Sequence, residues 1–177
     1  MLLRFVGYRL IAALAAGSCF VGCATMPRAA TAREIVVFRD ADYPAGTVVV
    51  RTTERRLYYV MGDGRALRYP VGVGRAGRTW SGRAVIDGKH LSPAWAPPAE
   101  VKRDNPRLPD VIPGGSPQNP MGAAALTLNV GQYAIHGTNA PNSIGGFVSY
   151  GCIRMYNQDV LDLYSRVGVG TMVIVTR

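Results

Sequence analysis

His136 and Cys152, sixteen positions apart, are the side chains of this sequence best suited to covalent chemistry. They sit in the stretch Ile135 to Met155, IHGTNAPNSIGGFVSYGCIRM, which reads as histidine, glycine-rich loop, cysteine. The thiolate is the attacking form of cysteine, and an unperturbed thiol is mostly protonated near neutral pH. A neighbouring imidazole can take that proton and activate the nucleophile. Acyl transfer needs more: a group that fixes the imidazole tautomer, backbone N–H groups facing the oxyanion, and open approach to the thiol. Gly151 removes a side chain beside the nucleophile, and the N–H groups of Gly151 and Cys152 are natural oxyanion donors. Gly137 lets the chain turn tightly after His136, and Gly145-Gly146 gives the loop freedom to close.

Taken alone the pair is weak evidence, because a histidine on a strand is more often structural. In papain-like enzymes the cysteine precedes the histidine, and here the order is reversed. Cys152 is the one cysteine outside the N-terminal segment that holds Cys19 and Cys23. The bland reading of such a thiol is a buried, inert side chain.

The elements that must position the pair follow from the rest of the chain. Its 177 residues suit one domain with a real core. Formal net charge is +9, carried by 18 arginines and 2 lysines against 11 acids. Such a surface suits an anionic polymer or membrane. No basic run, zinc-finger spacing or RNA-binding aromatic motif is present, which argues against nucleic acid. Plentiful glycine (21) and proline (12) point to a loop-rich β protein rather than a helical bundle.

Residues 1–32 read as an export signal, with Arg4 and Arg9 before an apolar run from Leu10 to Gly22 that is short for a bilayer span. Two exits compete: cleavage after Ala30-Thr31-Ala32, or a lipobox-like Phe20-Val21-Gly22-Cys23 with Cys23 lipidated. An uncleaved anchor is a third. All three place the domain at residues 33–177 outside the cytoplasm, in the periplasm or cell envelope, with membrane contact only through the N-terminus.

Strands are expected at Glu34 to Phe38, Thr47 to Thr53, Arg56 to Met61 and Ala66 to Val73, with a hairpin turn at Gly62-Asp63-Gly64. Gly72 to Gly77 matches G-x-G-x-x-G, but no helical period starts there, so nucleotide binding is not inferred. Another strand-like run ends at Asp87. Leu91 to Pro120 is rich in proline, and Trp95 within it calls for packing, so it reads as an ordered cover beside the site. Ala123 to Val130 and Tyr133 to Ile135 read as strands that deliver His136 at a strand end. Asn157 to Val167 reads as a helix with Asn157 as cap, Asp159 at its positive end and Gly168 as terminator. Val160, Leu163, Tyr164 and Val167 form its apolar face. Thr171 to Thr176 is a final strand. The result is a mainly β domain, two packed sheets or a distorted barrel, with one helix toward the C-terminus and long ordered loops.

IHGTN, the glycine-containing loop, SxGCIRM and the following helix together resemble the bacterial L,D-transpeptidase catalytic domain. The likeness extends to Tyr69 to Arg75, to Pro93-Ala94-Trp95-Ala96-Pro97-Pro98 and to Asn119-Pro120-Met121-Gly122. It implies an enzyme acting on peptidoglycan peptide stems with no metal or cofactor. Cys152 would attack the carbonyl of L-centred diaminopimelate in a tetrapeptide, releasing D-alanine and leaving a thioester. An amine of another stem, or of an outer-membrane lipoprotein, would resolve it. His136 would be general base and acid, and Gly137 or Thr138 would orient the imidazole through a backbone carbonyl. Arg154 would hold a substrate carboxylate, with Tyr150, Ser149 and Trp95 lining the substrate path, Ser149 chiefly supporting the turn. Carbapenems would acylate Cys152.

One position departs from the family. Its usual Ser-His-Gly-Cys is Ser149-Tyr150-Gly151-Cys152 here. The phenol can donate a hydrogen bond but does not titrate near neutral pH. Two other readings therefore stay open: hydrolysis of the same acyl-enzyme, as a carboxypeptidase or amidase, and a non-catalytic peptidoglycan-binding protein.

Overall fold

The computed structural model describes residues 33–40 and 42–177. The export signal expected over residues 1–32, with Cys19 and Cys23, lies outside them. Strands dominate: β1 (Glu34–Val37), β2 (Val48–Arg51), β3 (Arg56–Gly62), β4 (Arg65–Pro70), β5 (Val73–Gly74) and β6 (Gly82–Leu91) come first. After the short helix α1 (Ala99–Asp104) come β7 (Ala124–Leu128), β8 (Ala134–His136), β9 (Phe147–Ser149) and β10 (Ile153–Arg154). Helix α2 (Asn157–Arg166) and β11 (Met172–Thr176) close the chain.

Short turns make the first four strands antiparallel neighbours. The β3–β4 turn uses positive φ at Gly62, Asp63 and Gly64. β11 returns to lie parallel to β2 on one side and antiparallel to β6 on the other. β6 joins the two halves of the fold: residues 82–85 pair with β11, and residues 86–91 with β7. A bulge between Ile86 and Gly88 lies one residue into the β7 pairing, just past the last β11 pair at Val85, as expected where a long strand must bend from one partner to another. The order of the linked sheet is β1-β4-β3-β2-β11-β6-β7-β8-β10. Its core draws on both halves, with Val48, Leu57 and Tyr69 of the meander packed with Leu126, Ile135, Ile153 and Leu163.

The run expected as one strand from Ala66 to Val73 is two. Pro70, without an N–H, ends β4. β5 then leaves the meander and pairs in parallel with β9, bringing the G-x-G-x-x-G residues beside the cysteine turn, with no helix after them.

Helix α2 buries Val160 and Leu163, as its period predicted, and Tyr69 donates a 2.6 Å hydrogen bond to its Asp162. Its ends differ from expectation. Asn157 makes no cap: its Oδ1 accepts the N–H groups of Ala123 (3.1 Å) and Thr138 (3.0 Å) instead. Val167 is already extended, so the helix stops before Gly168 is needed. Asp159, expected to favour the helix start, is fully buried, and neither carboxylate oxygen has a hydrogen-bond partner among the described residues. Burial pushes it up to about 6.

The proline-rich segment is ordered. Trp95 and Ile112 exchange two backbone hydrogen bonds of 2.8 Å, and buried Asn119 donates to the carbonyls of Pro93, Ile112 and Pro113. Between these ties sits α1, a helix that no apolar period announced: six residues with none buried.

Candidate active site

β8 and β10 run parallel with Arg154 opposite His136 and Ile153 opposite Ile135, so Cys152, one residue before β10, lies level with Ala134 at the start of β8, two residues before His136. The turn before Cys152 is held by Ser149, whose Oγ donates to the Cys152 carbonyl (2.6 Å) and accepts the Gly151 N–H (3.0 Å). Ser149 thus supports the turn, as anticipated. The Gly151 N–H is therefore not the oxyanion donor expected of it, which leaves the N–H of Cys152 as the available member of that pair.

Gly151 itself is required. Its φ is +128°, and a Cβ there would lie 2.4 Å from the Tyr133 ring. Tyr133 stacks on Trp80 with ring centroids 5.1 Å apart and planes 8° from parallel. The Trp80 Nε1–H then donates to the Gly151 carbonyl at 3.0 Å. The aromatic pair thus braces the cysteine turn from behind. Neither ring was a candidate in the sequence, where Trp80 follows a decoy motif and Tyr133 looks like an ordinary strand residue.

His136 is 4% exposed, and its Nδ1 lies 2.7 Å from the Gly137 carbonyl. A carbonyl only accepts, so Nδ1 carries the proton and Nε2 keeps its lone pair. Of the two orienting residues expected, Gly137 supplies the carbonyl. No hydrogen bond joins the Thr138 carbonyl to the imidazole among the described residues; the Thr138 N–H goes to Asn157, and its hydroxyl accepts from the Ala140 N–H at 3.0 Å. A Cβ on Gly137 would meet Asn157 Oδ1 at 2.2 Å, so the glycine lets the histidine strand pass close to α2.

Burial pushes the imidazole down to about 4, helped by the Arg154 charge and opposed by the Gly137 and Pro120 carbonyls. Burial also raises the Cys152 thiol, against which the Ala134 backbone and the Arg154 charge act in favour of the thiolate. At neutral pH the resting site thus holds a neutral imidazole and a neutral thiol. Sγ contacts the Gln132 carbonyl at 3.8 Å, and no hydrogen bond joins it to the imidazole among the described residues. Such bonds commonly tighten only with substrate in place.

One cavity of about 280 Å3 collects most of the expected residues: Cys152, His136, Arg154, Ser149, Tyr150 and Trp95. The Arg154 guanidinium, half-buried, has an Nε with no hydrogen-bond partner among the described residues, and burial lowers its own basicity. An unpaired cation in an enclosed site favours an anionic ligand. Tyr150 lines the cavity with its ring, but its hydroxyl donates to Asp104 of α1 at 2.6 Å. Arg75 covers the same ring, 4.0 Å from its centroid, and pairs with Asp104 at 3.0 Å. Glu100, one turn earlier in α1, pairs with Arg78. Tyr150 thus ties a wall of the cavity to the cysteine turn, a role the sequence could not supply because its partners come from α1 and the β5–β6 loop. Among the described residues no three His, Cys, Asp or Glu side chains cluster closely enough to hold a metal ion.

Residues 45–175 match the family model YkuD, described as the L,D-transpeptidase catalytic domain. The probable L,D-transpeptidase ErfK/SrfK of Escherichia coli strain K12 is 41% identical over 133 residues, covering 71% of this chain and 42% of that protein. The putative L,D-transpeptidase YqjB of Bacillus subtilis strain 168 is 44% identical over 101 residues, 52% of this chain and 57% of that one. The chain therefore spans about half or less of the length of these relatives. Among solved structures, L,D-transpeptidase 3 from Mycobacterium tuberculosis, in complex with a faropenem-derived adduct, superposes with a TM-score of 0.57 at 17% identity. It covers 74% of this chain and 60% of that chain. The catalytic domain of the E. faecium L,D-transpeptidase gives 0.56 at 18% identity over 73% of this chain and 95% of its own.

Proposed function

Because this chain belongs to the L,D-transpeptidase catalytic domain family, we propose that it rearranges peptidoglycan peptide stems through a thioester on Cys152. The observation that carries the reading is the shared cavity, in which a thiol, a tautomer-fixed neutral imidazole and an unpaired guanidinium meet. Arg154 binds a carboxylate of the donor stem and lowers the cost of forming the thiolate. As Sγ attacks the carbonyl of L-centred diaminopimelate, its proton passes to Nε2 of His136. The resulting imidazolium is unfavourable in this buried place, so His136 readily returns the proton to the departing D-alanine amine. The N–H of Cys152 faces the oxyanion. An amine, of a second stem or of an outer-membrane lipoprotein, then takes the acyl group. An export signal over residues 1–32, as the sequence leads one to expect, and the position of the substrate both support action outside the cytoplasm.

The test is intact mass after mixing the protein with imipenem. A single covalent adduct is expected, absent in Cys152→Ala and much slower to form in His136→Ala. A folded, reduced wild-type protein that takes no adduct would overturn the acyl-enzyme reading. Wall-peptide binding that survives Cys152→Ala would then favour a non-catalytic binding role.

A further inference from the structure

The hydrogen bonds of the cysteine turn divide by peptide unit. Ser149 Oγ accepts the Gly151 N–H, which belongs to the 150–151 unit, and donates to the Cys152 carbonyl, which belongs to the 152–153 unit. The unit between them carries the Gly151 carbonyl and the Cys152 N–H, and Ser149 bonds to neither. Among the described residues its tie is the Trp80 Nε1–H, which donates to the Gly151 carbonyl at 3.0 Å. The Cys152 N–H itself has no hydrogen-bond partner among the described residues.

A trans peptide is planar, with its C=O and N–H pointing opposite ways. Holding the Gly151 carbonyl on the indole therefore turns the Cys152 N–H away from Trp80. The tie matters because the unit follows a glycine. At φ +128° Gly151 has no Cβ to resist rotation of the plane after it. The indole has little freedom of its own: its face stacks on Tyr133, and it packs against the main core. A half-buried indole N–H needs an acceptor in any fold. Here that acceptor shares its amide with the N–H that an oxyanion would meet. Hydrogen bonds in a chain polarise one another, so the indole also makes that N–H a better donor. Trp80 lines neither cavity that Cys152 lines, so it acts through the backbone and not by touching substrate.

We propose that Trp80 is a positioning residue for the oxyanion: its indole N–H aims the Cys152 N–H at the oxygen that becomes negative when Sγ attacks. This rests on the acyl-enzyme reading above. As the C–S bond forms, the carbonyl π pair moves onto oxygen, and the Cys152 N–H meets it without first having to turn. The pair returns when the C–N bond to D-alanine breaks, with the amine taking its proton from His136. Ser149 fixes the units on either side, and Trp80 fixes the one that meets the charge.

The test compares wild type with Trp80→Phe, in which a ring can still stack on Tyr133 and the N–H is gone. Two reactions of Cys152 are followed by peptide mapping. Imipenem acylation builds an oxyanion at the β-lactam carbonyl. Iodoacetamide alkylation displaces iodide and builds none, so it reports only the access and ionisation of the thiol. Acylation should slow about ten- to a hundredfold, less than the loss on deleting an oxyanion donor outright, while alkylation holds within about twofold. With the tetrapeptide donor the loss should fall on kcat and leave KM within about twofold. Trp80→3-benzothienylalanine keeps the fused rings and replaces the N–H with sulfur. It should repeat the pattern, which separates loss of the N–H from loosening around a smaller ring. Equal slowing of both reactions in this isostere, or no slowing of acylation, would overturn the inference. A wild type that alkylates normally but takes no imipenem adduct would instead overturn the acyl-enzyme reading beneath, and this inference with it.

Discussion

Asp159→Asn and His136→Gln should tilt the pH dependence of stability in opposite directions. Asp159 is buried at the start of α2 with no hydrogen-bond partner among the described residues, beside the Asp162 charge and partly offset by Arg33. Its carboxyl moves from an ordinary 3.8 up to about 6. The fold therefore binds this proton more tightly than the unfolded chain. Stability from this group is fully present below 3.8 and is lost as pH rises through about 6. His136 moves the other way, from 6.5 down to about 4. Its contribution is present above 6.5 and is lost as pH falls through about 4. Between pH 7.5 and pH 4.5, acidification should gain about 2 kcal/mol from Asp159 and lose about 2.5 kcal/mol from His136, so the wild type nearly cancels the two. Urea unfolding at both pH values measures this directly. Relative to wild type, Asp159→Asn should lose about 2 kcal/mol more on acidification, and His136→Gln should gain about 2.5 kcal/mol. Titration of the remaining carboxylates is common to all three proteins and drops out of the difference. Parallel pH profiles for Asp159→Asn and wild type would refute the reasoning, because they would mean the carboxylate is solvated or partnered.

Two further substitutions probe the cysteine turn. Gly151→Ala forces a side chain onto φ +128° and into the Tyr133 ring, which should cost about 2–5 kcal/mol in urea unfolding and slow imipenem acylation. Tyr150→Phe removes the hydroxyl that donates to Asp104. Global stability should barely change, while the donor KM rises several-fold with a smaller effect on kcat. Adding Asp104→Asn should raise the donor KM further, since it also breaks the Arg75–Asp104 ion pair.

What the sequence revealed and what it hid divide along one physical line. The meander, the helix α2 and the placement of His136 at a strand end were legible because each rests on a local period or a short turn. Local rules failed where a side chain's partner is distant in sequence. Asn157 looked like a helix cap because capping is a local choice. It instead accepts the N–H groups of Ala123 and Thr138, a use visible only once three segments meet. Gly151 was read as leaving room at the thiol, but its closest neighbours are the ring of Tyr133 and, through the carbonyl, Trp80.

Tyr150 shows the cost of reading a departure through local chemistry alone. Beside a catalytic cysteine, a phenol in place of an imidazole looks like a lost titratable group. In the proposed mechanism the pair that exchanges a proton does not include residue 150, because the Gly137 carbonyl holds Nδ1 of His136 and leaves Nε2 its lone pair. The phenol's ring lies under Arg75 and its hydroxyl reaches Asp104, 46 positions away, in a helix with no buried residue to hold it in place. A helix of six residues without a buried face cannot be held by propensity or core packing. Its position over the cavity must come from polar ties such as those of Tyr150, Arg75 and Arg78. Raising ionic strength, which weakens exposed ion pairs, should therefore raise the donor KM of the wild type, and less so that of Tyr150→Phe, where part of the tie is already gone. Equal salt sensitivity in the two proteins would place the control of α1 elsewhere, in the Trp95–Ile112 and Asn119 ties that flank it.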